Sequence, residues 1–184
     1  MTRRQLIYLV GAPGAGKSTL MAELTSRWTG IPAETGLPRT FLLDPRSSVL
    51  EAVELGRRRA QFSGTDALGQ SVIDTAIPWM IGQTETSLVF AEGARLGNRR
   101  FLSTCAAAGY AVLLGHLDHP EVDAWRTARE LTLGKAQNPI WVRGRATAAR
   151  NLAADPGPGV TVLTGHPDLL RENIAGLIHE RTTL

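Results

Sequence analysis

The sequence Gly11-Ala12-Pro13-Gly14-Ala15-Gly16-Lys17-Ser18 follows a short apolar run, residues 6–10, and precedes a segment with helical character. Its spacing is G-x-x-x-x-G-K-[ST], which in the order strand, loop, helix is typical of a phosphate-binding P-loop. The glycines can adopt backbone angles that are closed to residues with a Cβ atom, so successive amide groups can point into one concavity. Together with the positive end of the following helix, that concavity predicts a binding site for a polyphosphate.

The side chains at the end of this loop suit a nucleotide bound with a metal ion. Lys17 is expected to reach the β- and γ-phosphates, and the Ser18 hydroxyl is expected to ligate Mg²⁺. The alternative is a glycine-rich turn without a ligand, which the flanking strand and helix disfavour. The predicted ATP-binding residues are Gly11, Ala12, Pro13, Gly14, Ala15, Gly16, Lys17, Ser18 and Thr19.

The composition is that of an ordinary globular chain. It has 184 residues, 43% apolar and 20% charged, and this predicts one domain over residues 1–184. Its one cysteine, Cys105, can form neither an intramolecular disulfide nor a cysteine-based zinc site. No apolar run is long enough to span a bilayer, so we expect a cytoplasmic protein without a membrane partner. The net charge of +3 is compatible with phosphate-rich partners but does not identify one.

The spacing of the four histidines does not predict a metal site. None of the four has a neighbour at a spacing typical of metal ligands, so the metal expected is the Mg²⁺ that accompanies the nucleotide. They are His116, His119, His166 and His179.

Apolar runs and helical segments alternate along the chain. Strands are predicted at residues 5–10, 40–43, 87–91, 110–117 and 160–164. Helices are predicted at residues 17–28, 49–59, 67–79, 98–108, 121–133, 145–154 and 167–181, with a loop at residues 61–66. Such alternation implies right-handed crossovers and a parallel sheet that is covered on both faces. The sequence therefore predicts an α/β protein with the three-layer P-loop NTPase fold and a five-stranded parallel sheet.

Polar or glycine residues follow each of the predicted strands. In open parallel sheets, ligands bind beyond the carboxyl ends of the strands. We therefore expect these strand ends to gather at one edge of the sheet as an active site. They are Gly11, Asp44, Glu92, Asp118 and Thr164.

Three carboxylates are candidate catalytic groups. Glu92 could act as a base or hold Mg²⁺ through a water, although an acid there could also cap a helix or form a salt bridge. Asp44 precedes Pro45 and equally suits the opening of a turn. Asp66 equally suits the cap of a helix that starts at Ala67. An alcohol acceptor needs such an acid to orient or deprotonate it, whereas a phosphate acceptor needs arginines instead.

Arg143 and Arg145 are the candidate cationic groups for phosphoryl transfer. They lie two residues apart, beside Trp141, in a segment that contains a glycine. A forked guanidinium suits phosphate, and a mobile loop suits closure over it. The alternative is a pair of solvated surface arginines.

Other P-loop classes fit the sequence poorly. A GTPase would carry a guanine-reading N-K-x-D, which the sequence lacks, and a motor ATPase usually has two adjacent acids where this chain has Glu92-Gly93. The chain resembles small P-loop kinases of the adenylate and thymidylate kinase type along most of its length, in the P-loop, residues 89–95 and residues 141–145. This resemblance implies that residues 134–150 form an arginine-rich lid and that residues 164–168 contribute to the nucleotide-base pocket. The thymidylate kinase D-R-[YFH] signature and a recognisable monophosphate-binding pattern are absent.

Within this group, three short stretches most resemble bacteriophage-encoded kinases: residues 64–72, residues 91–96, and residues 137–139 with 142–145. Some of those enzymes phosphorylate 5-hydroxymethyluracil in DNA. The resemblance implies an ATP- and Mg²⁺-dependent phosphotransferase with a hydroxyl acceptor, acting in the host cytoplasm if phage-encoded. Two alternatives stay open, namely a kinase of a free nucleoside, nucleotide or other small molecule, and an ATPase module that acts through a partner protein. DNA binding and oligomeric state are also left open.

Overall fold

A computed structural model describes residues 4–57, 64–134 and 136–182. Its strands are β1 (Gln5–Gly11), β2 (Thr29–Pro32), β3 (Arg39–Leu43), β4 (Leu50–Leu55), β5 (Leu88–Glu92), β6 (Ala111–Leu117) and β7 (Val160–Gly165). Its helices are α1 (Lys17–Leu24), α2 (Val72–Gly82), α3 (Arg99–Ala107), α4 (Val122–Leu133), α5 (Pro139–Ala154) and α6 (Pro167–Thr182). A short 3-10 turn covers Thr65–Ala67.

The strands form one sheet in the order β2-β3-β4-β5-β1-β6-β7. The neighbouring strands β4, β5, β1, β6 and β7 are parallel. Four of them, β1, β5, β6 and β7, are predicted strands, whereas the fifth, β4, was predicted as a helix. The predicted total of five was wrong, because β2 and β4 were not predicted and bring the sheet to seven strands. The predicted strand at residues 40–43 is β3, which pairs antiparallel with both β2 and β4 rather than parallel. β2 lies where the sequence predicted only the end of a helix.

The helix predicted over residues 49–59 was wrong, since β4 occupies Leu50–Leu55; residues 58 and 59 lie outside the described residues. Ala52, Val53 and Leu55 are fully buried. Val53 and Leu55 pack into the core on one face of the sheet, whereas Ala52 packs into the core on the other face. This alternation has a period of two and is strand-like, but its apolar spacing alone also fits a helix. Pairing with β3 and β5 decides the conformation.

Helices cover both faces of the sheet, which confirms the three-layer fold. Side chains of β1 alternate between the two cores, with Leu6 and Tyr8 on one face and Ile7 and Leu9 on the other. The first core is covered by α2, α3 and α5, and the second by α1 and α6. The buried central strand β1 therefore delivers the P-loop at the carboxyl edge of the parallel strands.

Several helix boundaries differ from the expectations. α1 ends at Leu24 rather than at residue 28, and α2 begins at Val72 rather than at residue 67. α5 begins at Pro139 rather than at residue 145, because the Asn138 side chain accepts hydrogen bonds from the backbone amides of Ile140 and Trp141 and so caps the helix. α2 extends past Pro78, which lies inside the helix rather than at its end. Residues 58–63, which include part of the predicted loop over residues 61–66, lie outside the described residues.

Among the described residues, no helix is both long enough and apolar enough to cross a membrane.

Candidate active site

The loop after β1 has the backbone shape that its glycines predict. Gly14 and Gly16 have φ angles of +85° and +89°, in the left-handed region that favours glycine. α1 begins at Lys17, and Gly16 before it has no side chain that could cap the first amides of the helix. The start of α1 therefore presents backbone amides and the positive end of the helix dipole to an anion.

Lys17 lies over this loop. Its Nζ atom donates hydrogen bonds to the backbone oxygens of Gly11 and Ala12, at 3.1 and 3.0 Å. Burial lowers the pKa of the Lys17 ammonium from its ordinary value, while the negative charges of Glu92 and Asp66 act in the opposite direction. The lysine is thus placed between phosphate-binding amides and two carboxylates.

A hydrogen bond between the side chains of Ser18 and Glu92 connects the P-loop to the end of β5. The Ser18 hydroxyl donates to Glu92 Oε2 at 3.1 Å. Glu92 ends β5, is 2% exposed and lies beside β1 in a parallel register that pairs Leu9 with Glu92. A hydroxyl and a carboxylate oxygen are the hard ligands that suit Mg²⁺, so these two side chains fit a magnesium ion brought by a nucleotide.

Asp66 reaches the same place from the 3-10 turn. Its Oδ1 atom accepts a hydrogen bond from the backbone N–H of Ala94 at 2.7 Å. Gly64 allows this approach, because a Cβ atom there would lie 2.4 Å from Glu92 Cγ. The close packing of the turn against the end of β5 brings two carboxylates, Asp66 and Glu92, to the wall of one cavity.

A buried network of hydroxyl groups holds the 3-10 turn against the end of β5. Tyr8 of β1 lies with its OH 2.9 Å from the Gly93 carbonyl oxygen, to which it donates, and 3.0 Å from Thr65 Oγ1. Thr65 Oγ1 in turn donates to the carbonyl oxygen of Glu92 at 2.7 Å. The chain direction at the end of β5 and the position of the 3-10 turn therefore depend on each other.

The cavity has a volume of about 640 Å³. Its wall contains the P-loop, the two carboxylates, residues of α4 and residues of α5 as far as Leu152. This volume lies within the range of small-molecule binding sites. The basic side chains at its wall are Lys17, Arg95, Arg126, Arg129 and Arg145.

Arg126 is held in place by its own helix. Its Nη1 atom lies 3.0 Å from Asp123 Oδ1, and its Nε atom lies 3.9 Å from Glu130 Oε1. Its backbone also packs against the P-loop, since a Cβ atom on Gly14 would lie 2.9 Å from Arg126 Cα. α4 thus places Arg126 beside the P-loop.

The structure brings together some of the predicted site residues and separates others. Lys17, Ser18, Glu92, Asp66 and Arg145 line the cavity, whereas Arg143 is exposed on α5 and is absent from the cavity wall. Of the remaining predicted loop residues, Ala15 is buried and Thr19 is exposed on the first turn of α1. The cavity wall also includes Gly11, Pro13 and Gly14.

Asp44 does not reach this site. It follows β3, which runs antiparallel to β4, so the end of β3 lies at the opposite edge of the sheet from Glu92. There Asp44 Oδ1 accepts hydrogen bonds from the backbone N–H groups of Arg46 and Ser47, at 3.0 and 2.7 Å, and from the Ser47 hydroxyl. These bonds lower the pKa of the Asp44 carboxyl, and they match the alternative of an acid that opens a turn.

Several contributors were not among the predicted site residues. Arg126 and Arg129 lie about one turn apart on α4, and this helical spacing was a usable signal. Tyr8 and Thr65 gave no such signal, because a tyrosine in an apolar run and a threonine before an acid also occur in plain strands and turns.

A comparison with protein families identifies the family of this chain. The model of a family described as P-loop Nucleotide Kinase3 matches residues 1–179. A search of curated proteins found no match. The family match extends from β1 into α6 and therefore includes the P-loop and every side chain at the cavity wall.

Proposed function

The chain belongs to the P-loop Nucleotide Kinase3 family, and from that premise we propose that it transfers the γ-phosphate of ATP, with Mg²⁺, to a hydroxyl acceptor. The observation that carries this proposal is the pair of carboxylates, Glu92 and Asp66, at the wall of the cavity that Lys17 also lines. An ionised phosphate acceptor needs no base, whereas an alcohol acceptor does. If Glu92 helps to hold Mg²⁺, Asp66 is a second carboxylate that is free to act as the base, and its presence therefore favours an alcohol acceptor.

The two carboxylates have different hydrogen-bond partners, which suggests different roles. Glu92 accepts from Ser18, the P-loop hydroxyl, so it belongs with the ligands of Mg²⁺. When bound, Mg²⁺ neutralises charge on the β- and γ-phosphates. Asp66 accepts from Ala94 N–H and lies at the cavity wall, where it suits the role of general base. Its carboxylate takes the acceptor's proton as the acceptor oxygen bonds to the γ-phosphorus and the bond from that phosphorus to the β,γ-bridging oxygen breaks.

The basic residues supply the remaining electrostatic part. Lys17 reaches the phosphates from the P-loop, and Arg126, Arg129 and Arg145 face the cavity from α4 and α5. Guanidinium groups that face the transferred group stabilise the charge that builds up in the transition state. We propose that residues 134–150 act as the lid that positions Arg145, with its guanidinium 5.7 Å from the Trp141 ring centroid.

The first acceptor to test is a modified pyrimidine, with 5-hydroxymethyluracil in DNA as the specific form. This choice is supported by the resemblance of residues 64–72 and 91–96 to phage-encoded kinases. A cavity of about 640 Å³ also has room for a single base that has left the duplex. The second candidate is a free nucleoside, nucleotide or other small molecule, and the third is an ATPase that acts through a partner protein.

The test uses γ-labelled ATP, Mg²⁺ and a panel of acceptors. The panel contains duplex DNA with 5-hydroxymethyluracil, the same duplex with thymine, free nucleosides and monophosphates. Label on the modified duplex alone would support the DNA acceptor, and label on a free nucleoside would support the second candidate. ATP hydrolysis that no acceptor accelerates would favour the partner-dependent ATPase.

Variants assign the roles within the site. Asp66→Asn should lower kcat by ~10²-fold or more, because it removes the base while leaving the P-loop intact. Lys17→Ala should abolish transfer, and Glu92→Gln should raise the Mg²⁺ concentration needed for half-maximal rate. Asp44→Asn is the matched control at the opposite edge of the sheet and should leave the rate unchanged. A near-normal rate for Asp66→Asn would move the base role to Glu92.

A further inference from the structure

A second polar cluster lies beside the P-loop but outside the wall of the cavity. His119 follows β6, Glu121 immediately precedes α4, and His166 lies between β7 and α6. One ring nitrogen of each histidine and a carboxylate oxygen of Glu121 lie within 4.8 Å of one another. These residues are distant in sequence, and the ends of two neighbouring parallel strands bring them together.

The hydrogen-bond partners of His119 favour a positive charge at its ring, because a neutral imidazole can donate to only one of them. Its Nε2 atom lies 3.2 Å from the backbone oxygen of Ala15, and its Nδ1 atom lies 3.1 Å from Glu121 Oε2. Both neighbours only accept hydrogen bonds, whereas a neutral imidazole has a single N–H group. When Nε2 donates its proton to Ala15, the Nδ1 lone pair faces a carboxylate oxygen. The two repel each other unless a second proton or a metal ion lies between them.

The surroundings favour a metal ion over a proton. A third ligand, His166, is present, with its ring centroid 4.9 Å from that of His119. The 3.1 Å between His119 Nδ1 and Glu121 Oε2 is close to the ~3.3 Å that separates two ligands of a tetrahedral zinc ion. The His119 side chain is 1% exposed, so its orientation is fixed by packing, while Glu121 is 51% exposed and leaves the site open to ions from solution.

Each histidine also has the outer partner that metal-bound imidazoles usually have. A ligating histidine donates its other N–H to a carbonyl or carboxylate, which fixes its tautomer. For His119 this partner is the Ala15 carbonyl. For His166 it is Asp168, whose Oδ2 lies 3.3 Å from His166 Nδ1. The backbone N of Asp168 lies 3.2 Å from the same nitrogen, and metal binding would select the tautomer that donates to the carboxylate.

We propose that His119 Nδ1, Glu121 Oε2 and His166 Nε2 bind a divalent transition-metal ion of the zinc class. Two imidazoles and one carboxylate suit Zn²⁺ and its first-row neighbours, whereas Mg²⁺ prefers oxygen ligands alone. The site is therefore separate in residues and in chemistry from the magnesium site at Ser18. It joins the starts of α4 and α6 and, through His119, holds the backbone of Ala15 within the P-loop.

The test is direct metal binding to the full chain without an affinity tag. Protein stripped with a chelator is titrated with Zn²⁺ in a calorimeter, and Co²⁺ is used as a spectroscopic probe of tetrahedral geometry. One equivalent of Zn²⁺ should bind, with a tetrahedral Co²⁺ spectrum. Glu121→Gln and His166→Gln should each weaken Zn²⁺ binding by at least ~10-fold. Removal of a residue that only hydrogen-bonds to a metal ligand already weakens binding by ~10–100-fold, and these two residues are ligands themselves. Both positions are partly or fully exposed, so the variants should fold, and thermal unfolding checks this.

Asp123→Asn is the matched control, because Asp123 is a carboxylate on the first turn of the same helix but outside the cluster. It should bind Zn²⁺ as the unmodified chain does. Absence of zinc binding by the unmodified chain, or equal binding by Glu121→Gln and His166→Gln, would overturn the proposal. Lys17→Ala should bind Zn²⁺ normally, so the zinc result stands apart from the outcome of the phosphotransfer assay.

Discussion

Replacing Tyr8 with phenylalanine removes one hydroxyl from beneath the two carboxylates. In the structure this hydroxyl donates to the Gly93 carbonyl and contacts Thr65, whose own hydroxyl donates to the Glu92 carbonyl. Tyr8 is fully buried, and burial raises its pKa well above the ordinary value, so it stays a donor at working pH. The substitution leaves the ring and its packing in place and changes hydrogen bonding alone.

The size of the effect follows from these contacts. A net hydrogen bond contributes ~0.5–1.5 kcal/mol, and a buried acceptor that loses its donor costs ~1–3 kcal/mol. We therefore expect Tyr8→Phe to lower the free energy of unfolding by ~1–2 kcal/mol. For a chain of this length that corresponds to a decrease in Tm of ~2–8 °C. Because Gly93 and Thr65 flank the two carboxylates, kcat should also fall by ~10-fold, since small displacements of reacting groups are costly.

The assay pairs urea unfolding with the rate of label transfer, and Tyr110→Phe is its matched control. Tyr110 is also buried, and its hydroxyl donates to the Met80 carbonyl at 2.9 Å and accepts from Gln83 Nε2 at 2.7 Å. It directly precedes β6, at the opposite edge of the sheet from the cavity. Tyr110→Phe should lose similar stability while it keeps its kcat.

Two results would refute this reasoning. A stability loss below ~0.5 kcal/mol for Tyr8→Phe would mean that the Gly93 carbonyl does not depend on this donor. An equal fall in kcat for both tyrosine variants would mean that turnover follows global stability rather than the local network.

Two further predictions concern other parts of the chain. Burial raises the pKa of Cys105 to about 12, so at pH 8 a fraction of only ~10⁻⁴ of this side chain is thiolate. Mass spectrometry should therefore show negligible alkylation of the native chain and full alkylation in denaturant. Rapid labelling of the native chain would contradict the burial of Cys105. Since the folded state favours the neutral thiol, this stabilising contribution should decline as pH rises from about 9 towards 12. Gly14→Ala should destabilise the chain by ~1–2 kcal/mol or more and weaken ATP binding in a nucleotide titration, because the residue has φ +85° and its Cβ would lie 2.7 Å from Arg126 Cβ. Gly144→Ala on α5, where a Cβ meets nothing within 4 Å, should instead be neutral or stabilising, and an equal loss in both variants would show that α4 does not pack on the loop.

The sequence located the nucleotide side of the site but not the whole of it. Lys17 and Ser18 lie where a contiguous motif places them, and Glu92 lies at the end of a strand that could be recognised from its unbroken apolar run. Asp66 could not be preferred over Asp44 from sequence, since both are acids near predicted strand or helix ends. Their separation depends on strand direction, and direction is set by pairing with strands elsewhere in the chain.

Only the tertiary structure decided which residues meet. The antiparallel pairing of β3 places Asp44 at the far edge, and the parallel pairing of β6 with β7 brings His119 and His166 together across 47 residues of chain. By itself the sequence determined the P-loop and the α/β class, because glycine conformations and side-chain periodicity are local properties. The partner of each strand is a property of the packed sheet, and this packing brings Asp66 to Glu92 at the cavity and His119 to His166 beside it.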